Sequence, residues 1–305
     1  MGQPNYIRVR NSQINFYKDV SLYYQTSADT YCLYKPAGSC LTELRINQQK
    51  HPDLYFQEKD RIIAIKEIQE EFNKNLADSL KTGNAFKVKA TLCNLVEETL
   101  TEPRSGTLQA LPETIDSLIA GYSEHPDILK AFASISFKDY STVIHSVNVM
   151  ALTLGFCFYS NFSMPKTRKM GLSALLHDVG KTQIPSSILK APRRLSDDEF
   201  IIMKSHTSIG HEIIRAKNKI GGAPALGALE HHEKLDGSGY PKGTRNISYV
   251  GQLLGIIDCY EALTNEDRPY RRARKPLETL KFIKEDVEAG KFNRAIFEKF
   301  CYSLI

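Results

Sequence analysis

The chain has 305 residues, of which 42% are hydrophobic and 25% charged, with a formal net charge of +5. That length exceeds an ordinary single domain and predicts two, with a large core in at least one of them. The mild positive balance suits an acidic ligand such as a nucleotide and fits a plain solvated surface as well; it gives no ground for expecting a nucleic-acid-binding protein.

Met1 to Asn11 carries two arginines and no apolar run, so no secretory signal is expected and the expected location is the cytoplasm. The most apolar stretch, roughly Val149 to Tyr159, is far shorter than the ~20 residues of a membrane-spanning helix, and no membrane contact is expected. Cys32, Cys40, Cys93, Cys157, Cys259 and Cys301 form no CxxC pair and no regular spacing, which excludes a zinc knuckle and a disulfide framework. They are expected to be reduced and mostly buried.

From Tyr6 to about Gln49 short alternating runs, Tyr6-Ile-Arg-Val-Arg10, Ile14-Asn-Phe-Tyr17 and Tyr31-Cys-Leu-Tyr34, are separated by Asn, Ser, Asp and Gly, the pattern of a small β-rich unit. From Lys59 the period changes. Ile65, Ile68, Phe72, Leu76 and Leu80 recur at helical spacing until Gly83-Asn84 stops the run, and a second helix is expected over Phe86 to Leu100. Thr101 to Pro112, with two prolines, Ser105 and Gly106, has a linker's composition. The expected domains are therefore 1–112, a regulatory, dimerisation or protein-docking unit, and 113–305. The second reads as all-α, since no alternating strands interrupt its helical periods. Within it Ser196-Asp-Asp-Glu199 is a capping box opening a helix expected to carry His206.

Seven strong metal-ligand candidates fall in this second part: His145, His177, Asp178, His206, His231, His232 and Asp258. Imidazole nitrogen and carboxylate oxygen suit two hard-to-borderline divalent cations. Any one histidine among apolar neighbours is more often a hydrogen-bonded core residue than a ligand, but five of them crowd one part of the chain. Asp178 follows Ala174, Leu175, Leu176 and His177 in an apolar wall, where an unpaired charge is costly and a cation would neutralise it. His145 lies in a helix apolar nearly all round. His231 and His232 diverge by about 100° on a helix, so both reach one centre only at a helix end, and Asp236-Gly-Ser-Gly239 supplies the break. His51, His125 and His211 read as structural or solvated.

The segments His177-Asp-Val-Gly-Lys181, His231-His-Glu-Lys-Leu-Asp-Gly-Ser-Gly-Tyr-Pro241 and Asp267-Arg-Pro-Tyr-Arg271 resemble the defining motifs of HD-GYP domains, bacterial cyclic di-GMP phosphodiesterases. The likeness spans about residues 125 to 300, including Pro185 to Leu189, Leu195 to His206 and Ile256 to Leu263. It implies a mainly α fold, an HD-type helical bundle behind the small N-terminal β-rich or α+β domain. It also implies two divalent metal ions, iron or alternatively manganese. Asp178 would bridge them, with His145, His177 and Asp258 at one ion and His206, His231 and His232 at the other. Lys181 would act on the scissile phosphate, and Tyr240, Arg268 and Arg271 would contact the substrate. The implied reaction is hydrolysis of cyclic di-GMP to linear pGpG, and onward to GMP, by a hydroxide held between the metals. The competing expectation is a weakly active sensor that binds the dinucleotide and signals to a protein through the Tyr240 loop or the N-terminal domain.

Three positions depart from the family. Ser141 stands where members with a third metal carry glutamate, so two metals are expected. Glu261 replaces the usual second aspartate after the last ligand. The loop between His232 and Asp258 is slightly short, with one extra residue before Arg268.

Overall fold

The computed structural model describes residues 5–27, 30–39, 41, 51–101, 111–124, 142–216, 220–265 and 274–304. They fall into two compact units, one reaching to Asn75 and the other running from Leu76 onward. Most of the linker expected between Thr101 and Pro112 lies outside the described residues.

The first unit is built on an antiparallel sheet of β1 (Tyr6–Arg8), β2 (Leu22–Ser27), β3 (Thr30–Lys35) and β4 (Leu54–Gln57), in the order β1-β4-β2-β3. Alternation divides its residues between two faces. Leu22, Leu54 and Phe56 are buried, while Tyr6, Tyr23, Tyr31 and Tyr55 pack ring against ring. The run Ile14 to Tyr17, expected to be extended, is not a strand: Asn11–Phe16 forms a 3-10 helix. Ile14 and Tyr17, three apart, are the buried pair, and three residues make one 3-10 turn. Alternation over so short a run does not separate the two conformations.

Helices α1 (Arg61–Lys81) and α2 (Ala85–Thr101) form where the period changes. Ile68, Phe72, Leu76 and Leu80 are buried along α1, and Gly83 ends it with a left-handed φ of 66°. Glu67 on α1 accepts the backbone N–H groups of Lys18 and Asp19 at 2.9 and 2.6 Å, tying the loop before β2 to this helix.

Among the described residues the rest of the second unit is entirely helical. It comprises α3 (Leu111–Glu124), α4 (Thr142–Tyr159), α5 (Met164–Leu176), α6 (Ser186–Leu189), α7 (Asp197–Lys204), α8 (His206–Arg215), α9 (Gly222–Glu230), α10 (Tyr249–Thr264), α11 (Pro276–Glu288) and α12 (Arg294–Ser303). Helix α5 packs on α3, α4 and α9, while α10 packs on α4 and α9. The core includes Val149, Leu154, Phe156, Leu175, Leu176, Leu253, Leu254, Ile256 and Ile257, each contributing about 1.5–3 kcal/mol of burial. Helix α4 is the one described helix long and apolar enough to cross a membrane by composition alone. Most of its side chains are buried in the bundle. Ser196 and Glu199 form both bonds of the capping box on α7, but that helix stops at Lys204 with Ser205 as its cap, so His206 opens α8 and does not lie on α7 as expected. The five described cysteines are free thiols, but only Cys157 is buried; the others sit half-exposed, contrary to the expectation that most would be inside.

One close approach sets the spacing of elements around the centre. After α5 a 3-10 turn, Val179–Gln183, lies against α8. A Cβ on Gly180 would stand 1.9 Å from the backbone oxygen of His206. Only glycine permits that contact.

Candidate metal centre

All seven ligand candidates lie in the second unit, at three helix ends and in two helix interiors. His145 projects from α4 and Asp258 from α10. His177 and Asp178 leave the end of α5, His206 opens α8, and His231 with His232 follows α9 as its helical turns give way to the loop. Placing the last pair at a helix end lets both rings turn to the same side, as the adjacent positions require.

The side chains converge in two groups. In each, ligand atoms from three residues lie within 4.8 Å of one another: His145, His177 and Asp178 in one, His206, His231 and His232 in the other. Asp178 stands between them. Its Oδ2 is 3.6 Å from His145 Nε2 and 3.5 Å from His177 Nε2, while its Oδ1 is 3.3 Å from His206 Nε2 and 3.7 Å from His231 Nε2. Asp258 also faces both groups, with Oδ1 3.0 Å from His145 Nε2 and Oδ2 3.9 Å from His232 Nδ1.

Hydrogen bonds on the far side of the rings determine which nitrogen faces inward. His177 Nδ1 lies 2.7 Å from the Ala174 oxygen, His206 Nδ1 2.6 Å from Met203 oxygen, and His231 Nδ1 3.0 Å from Ala228 oxygen. A carbonyl only accepts, so each Nδ1 carries the proton and each Nε2 presents a lone pair to the centre. His145 uses a different partner. Its Nδ1 lies 2.5 Å from Glu261 Oε2, and Glu261 is held in turn by Asn148 and Asn265 at 2.7 and 2.8 Å.

Charge follows from this arrangement. Burial lowers the pKa of His177, His206 and His231 and brings His232 down to about 3, so these rings are neutral near pH 7. For His145 burial acts in the same direction, but the Glu261 and Asp258 carboxylates outweigh it and push the ring up to about 9. Burial would raise Asp178; Lys181 and the surrounding imidazoles override it, and Asp178 is held well below the ordinary carboxylate range. Asp258 is likewise held down, against burial, chiefly by His145.

These groups fit a pair of divalent cations. Asp178 Oδ1 is buried with no hydrogen-bond donor, and the atoms nearest it are the lone-pair nitrogens of His206 and His231. Acceptors brought together without a donor repel one another, and a buried ionised oxygen in that state is costly. A cation among them removes the penalty, and imidazole nitrogen with carboxylate oxygen is a donor set that divalent metal ions accept.

The centre opens on one side. The side chains of His145, His177, His206, His231 and Asp178 are at most 3% exposed, whereas Asp258 is 14%, Lys181 22% and His232 27% exposed. Lys181 Nζ donates to Asp178 Oδ2 at 2.5 Å. Tyr240 lies at the same opening, its ring 4.6 Å from that of His232 and tilted by 31°. Burial, with help from Asp258 and Asp178, raises its pKa, so the phenol keeps its proton.

The loop carrying Tyr240 is fixed by groups whose roles were not read from the sequence. Buried Glu233 accepts the N–H groups of Lys242 and Thr244 at 2.7 and 3.1 Å, closing the loop on itself. Gly239 lies so close to the chain after His232 that a Cβ would meet Glu233 Cα at 2.4 Å. Glu261 was visible as a departure, but its partner His145 is 116 residues away, and spacing alone does not reveal such a pair. Arg268, Arg271, Ser141 and His125 lie outside the described residues. His51 is half-buried in the first unit, and His211 takes no part in either group.

The family model for the HD domain matches residues 124–296. The chain belongs to the HD-domain family. Within that superfamily it belongs to the HD-GYP family of metal-dependent phosphohydrolases. The chain is 31% identical over 190 residues to the cyclic di-GMP phosphodiesterase PA4108 of Pseudomonas aeruginosa, covering 62% of this chain and 45% of that protein. It is 27% identical over 168 residues to the 3'3'-cGAMP-specific phosphodiesterase 1 of Vibrio cholerae, covering 54% of this chain and 38% of that one. The chain thus spans less than half the length of either relative. Its fold is similar to that of Bd1817, an HDG"Y"P protein from Bdellovibrio bacteriovorus, with a TM-score of 0.63 over 97% of this chain and 98% of the other at 18% identity.

Proposed function

We propose that this protein is a metal-dependent phosphodiesterase that opens cyclic di-GMP to linear pGpG. The observation that carries the proposal is the buried carboxylate of Asp178, whose two oxygens each face a group of inward-pointing histidine nitrogens. His145, His177 and Asp258 would hold one ion, His206, His231 and His232 the other, and Asp178 both. When bound, such ions neutralise an anionic phosphodiester and lower the pKa of a coordinated water toward neutrality.

The protein's own groups supply the rest. The closed side of the centre keeps bulk water from the ligands, and the side lined by His232, Asp258, Lys181 and Tyr240 admits substrate. Lys181, held by Asp178 at that opening, is placed to offer its ammonium to the phosphate as charge develops there. Tyr240 presents a protonated hydroxyl and an aromatic face. The likeness to phosphodiesterases acting on cyclic di-GMP and on 3'3'-cGAMP supports the cyclic dinucleotide as substrate class.

The deciding experiment incubates purified protein anaerobically with iron or manganese and either dinucleotide, then separates the nucleotides. Linear product from cyclic di-GMP is expected. Tight binding of the dinucleotide without any linear product under these conditions would overturn the enzymatic assignment and identify a sensor.

A further inference from the structure

Beyond the ligand groups, a chain of ring contacts leads from the centre to the surface. His231 and His232 lie 4.1 Å apart, His232 and Tyr240 4.6 Å, and Tyr240 and Phe200 6.3 Å, the last pair edge to face at 74°. Phe200 stands on α7 and is 44% exposed. A large apolar ring left open beside a substrate entrance is a surface on which another flat ring can stack.

Lys204, one turn further along α7, holds its Nζ 4.6 Å from the Phe200 ring centre and 5.6 Å from that of Tyr240. Both distances fall within the range of cation–π attraction. Among the described residues no carboxylate lies within ion-pair distance of Lys204. By contrast Arg193, on the segment before α7, is paired with Glu199 through two bonds of 2.6 and 2.7 Å. Lys204 therefore keeps its ammonium donors available at the entrance, and the two rings confine the direction in which they point.

Resting on the phosphodiesterase assignment, we infer that Phe200 and Lys204 form a base-reading shelf, with Phe200 stacking a purine of the dinucleotide and Lys204 selecting guanine. Guanine offers two adjacent acceptors, O6 and N7, on one edge, and a lysine ammonium can donate to both; adenine places an amino donor where O6 would be. A cation on the shelf thus favours guanine and repels the adenine amino group. The stacking face is indifferent to which purine it meets. The two residues divide affinity from selectivity.

A similar trio, Lys166 over Phe162 and Tyr249 at 3.5 and 5.1 Å, provides an internal comparison. Among the described residues neither of its rings touches a histidine of the centre. Lys166→Met should leave every parameter below unchanged.

The test uses the full metal-loaded chain with three substrates: cyclic di-GMP, cyclic di-AMP and bis(p-nitrophenyl) phosphate, a phosphodiester without a base. Lys204→Met is expected to raise KM for cyclic di-GMP by about tenfold, with kcat nearly unchanged and cyclic di-AMP and the base-free ester unaffected. Lys204→Arg should restore the KM for cyclic di-GMP. Phe200→Ala should raise KM for both dinucleotides by about tenfold and spare the base-free ester. Equal changes in Lys204→Met for the two dinucleotides, or a parallel loss on the base-free ester, would overturn base reading and show a structural role. If the wild type cleaves none of the three, the phosphodiesterase assignment fails, and calorimetric binding decides the shelf by itself. In that case weaker binding of cyclic di-GMP to Lys204→Met supports it, and equal binding sinks it.

Discussion

In the group formed by His206, His231 and His232, the two oriented rings give their Nδ1 protons to backbone carbonyls three residues back, at Met203 and Ala228. Across Asp178, His177 does the same with Ala174, but His145 turns to the carboxylate of Glu261. A carbonyl fixes the tautomer and adds only a dipole. A carboxylate fixes it too, adds a full negative charge behind the ring and makes the imidazole a stronger base. The His145 half is also nearer to Asp258, at 3.0 Å from His145 against 3.9 Å from His232. It is therefore the more anionic half, and it should hold a divalent ion more tightly and compete for it with a proton. The difference shows that one inward geometry can be reached with two electrostatic settings.

The most severe way to break the comparison is to remove what the halves share. Asp178→Ala should abolish retention of both ions, since either half then loses its common oxygen donor; elemental analysis showing the wild-type metal content would exclude the bridging role. Lys181→Met should keep both ions and lower turnover by about a hundredfold, the scale of losing one donor that acts in the transition state. Unchanged turnover, or loss of metal, would remove Lys181 from that role.

Glu261→Gln addresses the asymmetry itself. It should weaken metal binding in the His145 half by about tenfold or more, the usual cost of an outer partner, and leave the His206 half as it was. Titration against a competing chelator would then give two better separated or reordered steps, whereas equal weakening of both would mean that Glu261 supports the whole bundle.

Another expected effect concerns pH. In chelator-treated protein His145 is raised from 6.5 to about 9, so its protonated form stabilises the fold. That contribution is complete below pH 6.5 and is lost as pH rises through 9. Its size is on the order of 3 kcal/mol. Urea unfolding should show this decline in the wild type and a shallower one in Glu261→Gln; parallel curves would contradict the assignment to His145.

Much of the centre was legible because its residues are rare, chemically distinctive and clustered in order. His145, His177, Asp178, His206, His231, His232 and Asp258 converge as their types suggested, and the break after His232 lies where two adjacent rings need it. The capping box of α7 and the stop at Gly83 were local signals and formed locally. The sequence did not disclose partnerships. Glu233 and Glu261 are ordinary acidic residues until the fold brings Lys242 and Thr244 to one and His145 to the other. Nor did the alternation at Ile14 to Tyr17 distinguish a strand from one 3-10 turn, because burial at a spacing of three satisfies the same apolar residues.

The carbonyl partners of His177, His206 and His231 also bear on how the protein tolerates change. Each of these rings is oriented by a contact within three or four residues, so its alignment is inherited from one short stretch of chain, for His206 the junction of α7 and α8, and survives alterations in the more distant connections. Lengthening the segment between α8 and α9 would leave His206 and His231 facing as they do. His145 depends on a residue 116 positions away, and its alignment holds only while α4 and α10 keep their register. Chimeras that exchange α10 between relatives should therefore disturb one half of the centre and spare the orientation of the other.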